Sequence, residues 1–393
     1  MNKQFRTASL GNFCLVIAGQ SPNGSAYNDV AEGLPFYQGK KEFGQRYISS
    51  PRVWTREITK VAEPDDILMS VRAPVGPVNF TKEKICIGRG LAAIRPKSEL
   101  NRSYLFYFLL SAQNILTGKA GAVFPSISKA DIESIQLRVP TLAEQRRIVG
   151  ILDEAFAGLD AMRANTEANA RSGYRLFEAE FNRIMTPNGG SWVEARFSEI
   201  CEIKHGFAFD GQYFTSEGEF VLMTPGNFFE TGGYRDRGEK QKYYVGEIPR
   251  GYLLSKGDLL VAMTEQAVGL LGSPAIVPES GKFLHNQRLG LVTPKRGASW
   301  IAEFFFHVFN TNYVRVAIQN SASGTKVRHT SPNKIGDVLV RFPSEPSEQV
   351  RVANTIAELR ERTDTLQAIY ESKLAAIDEL RKSLLHQAFS GNL

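Results

Sequence analysis

The sequence has little of what a metalloenzyme, a nucleotide-hydrolysing enzyme or a membrane protein needs. Of 393 residues only three are cysteine, Cys14, Cys86 and Cys201, and they lie far apart. An odd, scattered set suits a reducing compartment and offers no paired metal-ligand spacing. The five histidines, His205, His285, His307, His329 and His386, show neither HxxH nor HExxH spacing. No GxxxxGK[ST] loop occurs, since Gly39-Lys40-Lys41 lacks the earlier glycine and the hydroxyl residue. Gly88-Arg89-Gly90 lacks the third glycine of a dinucleotide fingerprint and reads as a turn. There is no GxSxG elbow. No apolar run approaches the roughly 18 residues that span a bilayer, so no membrane is expected. The start, MNKQFRTASLGNF, has no apolar stretch of signal-peptide type, so a cytoplasmic protein is expected.

What is present is a chain able to bury cores: 42% of residues are hydrophobic and 22% charged. That excludes a disordered or fibrous chain. At roughly 150 residues per domain the length holds two to three domains. The formal net charge of +6 leans towards a polyanionic partner.

The chain is written twice. VPTLAEQ (139–145) and FPSEPSEQ (342–349) each follow a β-like stretch and open a long helical pattern. EPDDILMSV (63–71) matches SKGDLLVAM (255–263), a turn, an aspartate and an apolar strand. LPFYQGK (34–40) matches EFVLMTPGN (219–227), and IGRGLAAIRP (87–96) matches HNQRLGLVTP (285–294). The segments keep the same order in both copies, and a long ordered repeat fixes the architecture before any single motif does. Each copy begins with roughly 140–155 residues of short strands and turns, a typical domain size. The aromatic runs 102–110 and 300–309 predict one helix inside each copy, with apolar rows packed inward.

A long helix ends each copy. In the first, Thr141-Leu-Ala-Glu144 is a capping-box pattern. Apolar residues recur at Ile148, Leu152, Ala155, Leu159 and Met162, then at Ala170, Tyr174, Phe177, Phe181 and Ile184. Steps alternating between three and four are the heptad signature. Thr166 and Gly173 interrupt the pattern mildly, and the Thr186–Gly190 segment stops it. In the second, Pro346 suits a first helical turn. Apolar positions follow at Val352, Ile356, Leu359, Leu366, Tyr370, Leu374, Ile377, Leu380 and Leu384. About forty residues at 1.5 Å each make a helix of about 60 Å, too long for one small core. Two such helices most simply pair with each other, antiparallel if a pseudo-two-fold axis relates the copies.

No reactive constellation is shared by the copies. Asp65 and Asp66 form a carboxylate pair, but the second copy has only Asp258 there, behind a glycine, so a strand-opening turn is expected. This pattern reads as a binding protein rather than an enzyme. Basic and amide side chains gather at the turns that end the strands. The first copy offers Gln38, Lys40, Lys41, Arg46, Arg72 and Arg89. The second offers Asn227, Arg235, Arg237, Gln266, Asn286, Gln287, Arg288, Lys326 and Arg328. Arginine can read guanine bidentately, asparagine or glutamine can read adenine, and lysine suits phosphate. An alternative is a non-catalytic coiled-coil adaptor joining two ligand-binding domains.

This combination resembles the specificity subunit of a type I restriction-modification system, along the whole chain. The residues that carry the resemblance are the twin exits Val139-Pro140-Thr-Leu-Ala-Glu144-Gln145 and Phe342-Pro343-Ser-Glu-Pro-Ser-Glu348-Gln349. Gly121-Ala-Val-Phe-Pro-Ser126 and Gly257-Asp258-Leu259-Leu260 support it. The first copy departs by carrying Asp65 where the family usually has glycine. The resemblance implies an α+β fold: two mixed α/β target-recognition domains joined by two long helices forming an antiparallel coiled coil, a pseudo-two-fold internal repeat. The implied parts are a first recognition domain at 1–140, a first spacer helix at 141–186, a second recognition domain at 187–344 and a second spacer helix at 345–393. Two full copies suggest a complete subunit. Each domain would read one half of a bipartite target in double-stranded DNA, and the helices would set the unread spacer. One B-DNA turn is about 34–36 Å, so a helix of about 60 Å can serve successive major-groove faces. The chain itself would be non-catalytic and hold no cofactor. It would recruit two methyltransferase subunits, which use S-adenosylmethionine on adenine N6, and restriction subunits, which use ATP and Mg. A methyltransferase on the same chain would need an (N/D)PP(Y/F) motif, which is missing. DNA contacts are expected above all in the basic loop Gly324-Thr-Lys326-Val-Arg328-His329, since the corresponding first-copy loop is nearly uncharged apart from Lys119 and Lys129.

Overall fold

The computed structural model describes residues 6–113, 126–187, 191–265 and 268–393. The chain divides into two compact units. One joins the residues up to Asn169 with Ile369–Leu393, and the other is Ala170–Ala368. Each unit therefore takes a globular part and a stretch of both long helices. The helices, Leu142–Met185 and Pro346–Ser390, are each continuous, 44 and 45 residues long.

The first unit is built on a four-stranded antiparallel sheet in the order Cys14–Ala18, Leu91–Pro96, Ile67–Ser70, Val78–Phe80. Arg6–Ser9 pairs separately with the exit strand Gln136–Val139. Leu34–Tyr37 and Ile85–Ile87 run parallel inside a second, five-stranded sheet. The helix Arg102–Ser111 packs across these strands. Asn101 caps it, its side chain accepting from the Ser103 and Tyr104 amides at 2.9 and 3.1 Å. As expected of a core helix, Tyr104, Leu105, Phe106, Tyr107 and Leu109 are buried.

The second unit repeats this plan. Its four-stranded sheet runs Cys201–His205, Leu289–Pro294, Leu259–Ala262, Pro274–Ile276. Trp192–Arg196 pairs with the exit strand Leu339–Pro343, and Phe220–Met223 runs parallel to Phe283–His285. The helix Ala302–Asn310 buries Phe304, Phe305, Val308 and Phe309. A further helix, Asn312–Asn320, was not anticipated, because its polar sequence hides a buried face of Val314, Arg315 and Ile318.

The turn that opens the central strand is the same in both copies. Asp66 Oδ2 accepts from the Glu63 amide at 2.8 Å, and Asp258 Oδ2 accepts from the Ser255 amide at 2.9 Å. The residue before each aspartate is left-handed, with φ +69° at Asp65 and +89° at Gly257. Glycine adopts this backbone freely, and aspartate is among the few other residues that tolerate it. Asp65 is ion-paired with Arg102, and Asp66 accepts two hydrogen bonds from Arg95, at 2.7 and 2.8 Å. The two carboxylates are thus parts of a turn, as expected.

The glutamines of the twin exits are fully buried. Gln145 Oε1 accepts from the Asn101 amide at 2.7 Å, and its Nε2 donates to the Pro140 and Glu99 carbonyls at 2.9 and 3.1 Å. Gln349 Oε1 accepts from the Ile301 amide at 2.9 Å, and its Nε2 donates to the Pro343 carbonyl at 2.9 Å and to Ser299. One side chain ties the exit strand, the long helix and the start of the inner helix.

The long helices pair antiparallel inside each unit. In the first, Arg163 is ion-paired with Asp378 and Arg381 with Asp160, while Arg147 Nη2 donates to the Leu393 carbonyl at 2.8 Å. In the second, Gln367 Nε2 donates to the Ala170 carbonyl at 2.8 Å, and Gly173 lies against the Leu366 side chain. Thr166 and Gly173 do not break the helix. The inward stripe differs from the heptad reading. Ile148, Leu152, Phe156 and Leu159 are buried, as are Phe177, Phe181, Val352, Ile356 and Ile377, whereas Met162, Tyr174, Leu366 and Leu380 are exposed. Burial is concentrated where the helices also cover a domain core, because one partner helix alone cannot enclose a side chain.

Gln145→Met keeps the length of the side chain and removes its polar atoms. It removes the partner of the Asn101 amide and of the Pro140 and Glu99 carbonyls, and a polar group left unsatisfied away from water costs about 1–3 kcal/mol. Urea unfolding of the full chain is expected to show a loss of about 3 kcal/mol; an unchanged midpoint would rule out this tie as a stabilising element.

Candidate nucleic-acid interface

Parallel strands emit their following loops at the same end. In the first unit Phe36 lies opposite Cys86 and Tyr37 opposite Ile87, so the segments after Tyr37 and Ile87 leave together. Backbone hydrogen bonds lock three loops there. The Gly88 amide donates to the Tyr37 carbonyl at 2.8 Å, the Gln20 amide to the Ile87 carbonyl at 2.9 Å, and the Val71 amide to the Gly90 carbonyl at 3.0 Å. Ser21 Oγ donates to Gln38 Oε1 at 3.0 Å and accepts from the Arg89 amide at 3.2 Å. Gln38, Lys40, Lys41, Arg72 and Arg89 are all exposed on these loops. Five of the six residues expected in the first copy are therefore brought to one edge.

Arg46, the sixth, is placed elsewhere. Its Nη1 is 2.7 Å from Asp153 Oδ1 on the long helix, and its Nη2 donates to Ser103 Oγ at 3.1 Å. The guanidinium also lies 5.5 Å from the centre of the Tyr107 ring. Tyr107 itself donates to Asp153 at 2.5 Å. The expectation of a DNA contact is corrected here: the charge of Arg46 is spent within the fold, fastening its loop to the long helix.

The second unit keeps the frame. Met223 lies opposite His285 on the parallel strands. The Phe207 amide donates to the His285 carbonyl, and the Met263 amide to the Arg288 carbonyl, both at 2.9 Å. These are the counterparts of the Gln20 and Val71 bonds. Gly19 and Gly206 occupy matching places where a Cβ would meet backbone oxygen at 2.2 and 2.0 Å, so both loops require glycine there. Gln287 and Arg288 are exposed on this edge, and Asn286 is buried with its Oδ1 accepting from the Arg288 amide at 3.1 Å.

Asn227 is a second correction. It is 1% exposed. Its Oδ1 accepts from the Thr224 amide at 3.0 Å, and its Nδ2 donates to Gln241 Oε1 at 2.9 Å. An amide already satisfied in the interior is not open to a base edge. Arg235 is likewise engaged, both Nε and Nη2 donating to the Gly226 carbonyl, and Arg237 lies against Gly226.

The basic loop is divided. Thr264–Glu265 pairs antiparallel with Arg328–His329. Glu265 is buried, and its Oε2 accepts from the Gly269, Leu270 and Leu271 amides at 3.1, 3.0 and 2.8 Å. Arg328 neutralises it at 3.0 Å and donates to the Gln319 carbonyl at 2.5 Å. Arg328 is therefore first a counter-ion, which corrects its expected role as a foremost DNA contact. Lys326 and His329 remain exposed, with His329 Nδ1 3.1 Å from Thr264 Oγ1. Gln266 lies outside the described residues, as do Lys119 and most of the segment Gly121–Ser126.

Elsewhere the polar interior is structural. Among the described residues no group of three or more His, Cys, Asp or Glu could hold a metal ion. The three cysteines are free and buried, and burial pushes the Cys14 and Cys201 thiols up to about 12. No described helix is long and apolar enough to cross a membrane. His285 is fully buried with Nε2 2.9 Å from the Leu289 carbonyl, and burial lowers its pKa to about 4. Burial does the same to His307.

Fold and loop edges define the class: a duplicated scaffold in which each unit presents an exposed loop edge and includes stretches of both long helices. Residues 2–169 match the type I restriction modification DNA specificity domain. The protein assigned as the MjaX type I restriction enzyme specificity subunit of Methanocaldococcus jannaschii is 45% identical over 150 residues, covering 37% of this chain and 35% of the relative. The EcoBI specificity subunit of Escherichia coli is 26% identical, covering 56% of this chain and 42% of the relative. The MjaVIII specificity subunit of M. jannaschii is 18% identical, covering 100% of this chain and 93% of the relative. The alignments thus span well under half of the first two relatives. Among solved structures, a chain from work on complex assembly and conformational transition of the type I R-M system superposes with a TM-score of 0.79 at 16% identity, covering 99% of this chain and 98% of that one. The HsdS subunit of Thermoanaerobacter tengcongensis superposes with a TM-score of 0.61 at 16% identity, covering 100% and 98%. The chain is thus similar to type I restriction-modification specificity subunits, by family model over residues 2–169 and by fold along nearly its whole length.

Two predictions follow from the placement of these side chains. Arg328→Ala leaves the buried Glu265 carboxylate without its counter-ion, and such a change is strongly destabilising. Because Arg328 is partly exposed, a loss of about 2 kcal/mol is expected, against none for Lys326→Ala; equal thermal melting of the two variants would contradict this division. The second concerns pH. The folded pKa of His285 lies below the ordinary value of about 6.5, so the unfolded chain takes up the proton first as pH falls. Its contribution is full above pH 6.5 and is lost progressively towards pH 4. His285→Ile, the residue at the matching position 87, should make stability less steep across that window, and a denaturation series from pH 7 to pH 4 checks it.

Proposed function

We propose that the chain selects the DNA sequence on which a type I restriction-modification complex acts. The observation that carries this reading is the doubled edge. In each unit a parallel strand pair, locked by the same backbone hydrogen bonds, presents exposed arginine and glutamine side chains together. These residue types suit base edges, and the lysines beside them suit phosphates. Each unit reads one half of a bipartite target in double-stranded DNA. The long helices set the spacer between the halves. The chain is not itself the catalyst. It brings two methyltransferase subunits, which carry S-adenosylmethionine, and restriction subunits, which carry ATP and Mg. The exposed apolar side chains Met162, Ile369 and Leu380 of the first unit, and Tyr174 and Leu176 of the second, support docking of such subunits along the helices.

The test is methylation mapping of a host carrying this chain together with a methyltransferase subunit, against the same host lacking the chain. N6-methyladenine is expected at one gapped, two-part motif in the first host alone. Exchange of residues 1–140 for another domain of the family should then alter one half of the motif and spare the other. Absence of any chain-dependent motif would defeat the proposal, and loss of both halves would defeat independent reading.

A further inference from the structure

The two edges share a backbone frame but differ in their outermost side chains. At the position where the first unit has an exposed Gln20, the second has Phe207, held by the matching bond to the His285 carbonyl at 2.9 Å. The Phe207 side chain is 37% exposed, on the same edge as the exposed Gln287 and Arg288. It is also rigidly backed. Its ring meets Phe209 edge-on at 5.2 Å and tilts against Tyr252 at 5.4 Å. Tyr252 in turn carries the Lys204 ammonium 4.1 Å from its ring centre. The Gln287 amide donates to the Phe207 carbonyl at 2.9 Å, so the exposed residue Gln287 is Phe207's neighbour across the backbone.

These two side-chain types match the two halves of one base-pair edge. In the major groove an A·T pair presents the adenine N7 acceptor and N6 donor, which an amide can read as a pair. Its thymine presents a methyl group, the one apolar feature on any base edge there. A fixed aromatic ring suits that methyl; a hydrogen-bonding side chain such as Gln20 does not. We propose that Phe207 reads the 5-methyl group of a thymine in the half-site bound by the second unit, with Gln287 beside it, and that the first unit makes no equivalent contact. This rests on the reading that the chain selects a DNA sequence.

The experiment uses the full chain assembled with methyltransferase subunits from the same host, titrated onto a duplex carrying its mapped target at fixed salt. Each thymine is replaced in turn by uracil, which deletes one methyl and keeps every hydrogen-bonding group. Burial of one methyl corresponds to about a fourfold change in affinity. One thymine, in the half-site of the second unit, is expected to show that loss with the unaltered protein. With Phe207→Ala the thymine and uracil duplexes should bind equally, and Phe207→Leu should retain part of the preference. If no single replacement weakens binding by the unaltered protein, or if Phe207→Ala keeps the preference, the inference is overturned. A Phe207→Ala loss that is the same on every duplex, with no methyl dependence, overturns it too, because the ring then acts as a wedge or as packing. A complex that binds no sequence selectively defeats the underlying reading instead, so the two failures are separable.

Discussion

A buried carboxamide at the first turn of each long helix fixes three segments of chain at once. Gln145 and Gln349 bond to the exit strand, to the loop before the inner helix and to the start of that helix, and both are closed to solvent. Any other seating of the helix would strand these amides and carbonyls away from water, at about 1–3 kcal/mol each. The angle matters because the helix is long. A tilt of about 10° at the first turn would displace the far end of a helix of about 66 Å by about 11 Å. A small bonded cluster at the base therefore controls where distant side chains of the same helix can be. The same cluster explains why proline, glutamate and glutamine recur together at both exits. The proline ends the strand, its carbonyl receives the glutamine, and the glutamate pairs with an arginine three residues on, Arg147 or Arg351.

The repeat, the fold class and the two long helices were legible in the sequence, because each rests on local chemistry. Turn residues before an apolar strand, a cap before a periodic run and aromatic rows at helical spacing all announce themselves over a few positions. The residue-level roles were less so. Arg46 meets Asp153, and Arg328 meets Glu265, across 107 and 63 positions of sequence, and composition alone does not say which arginine faces a carboxylate. Asn227 looked like a loop amide and is an internal cap. The helical stripe misled at Met162, Tyr174, Leu366 and Leu380, where periodicity continues but no domain core lies behind the helix. Phe156 lay one residue from the position the heptad selected, yet it is the buried one. Gln20 and Phe207 carried no motif of their own; their equivalence emerges from backbone pairing, not from residue type.

Two populations of cation follow from this arrangement. Arg46, Arg95 and Arg328 face carboxylates, and Arg315 is buried, donating to the Glu230 and Gly269 carbonyls; burial lowers its pKa to about 10. The fields of the first three are largely cancelled within a few ångström by their carboxylates. Lys40, Lys41, Arg72, Arg89, Arg288 and Lys326 are exposed on loops. Charges of this second kind act on a polyanion out to about one Debye length, roughly 8–10 Å at moderate salt. The net charge of +6 thus understates how unevenly positive potential is distributed, since the ion-paired arginines contribute to the count and little to the field.

The frame and the exposed side chains of each edge are physically separate. The bonds that hold each edge run between backbone groups: position 20 or 207 to position 87 or 285, and position 71 or 263 to position 90 or 288. They do not depend on which side chains those positions carry, beyond the glycines at 19 and 206 that permit the approach and Gly90, where a Cβ would meet the Gln38 carbonyl oxygen at 2.3 Å. Exposed side chains anchored to such a frame can change at a cost usually within about 0.5 kcal/mol. The two copies show this within one molecule: Gln20 and Arg89 in the first stand where Phe207 and Gln287 stand in the second, on the same frame. A protein built this way can alter its exposed edge without reopening the question of how it folds, because the interactions that fix the backbone are not those exposed at the edge.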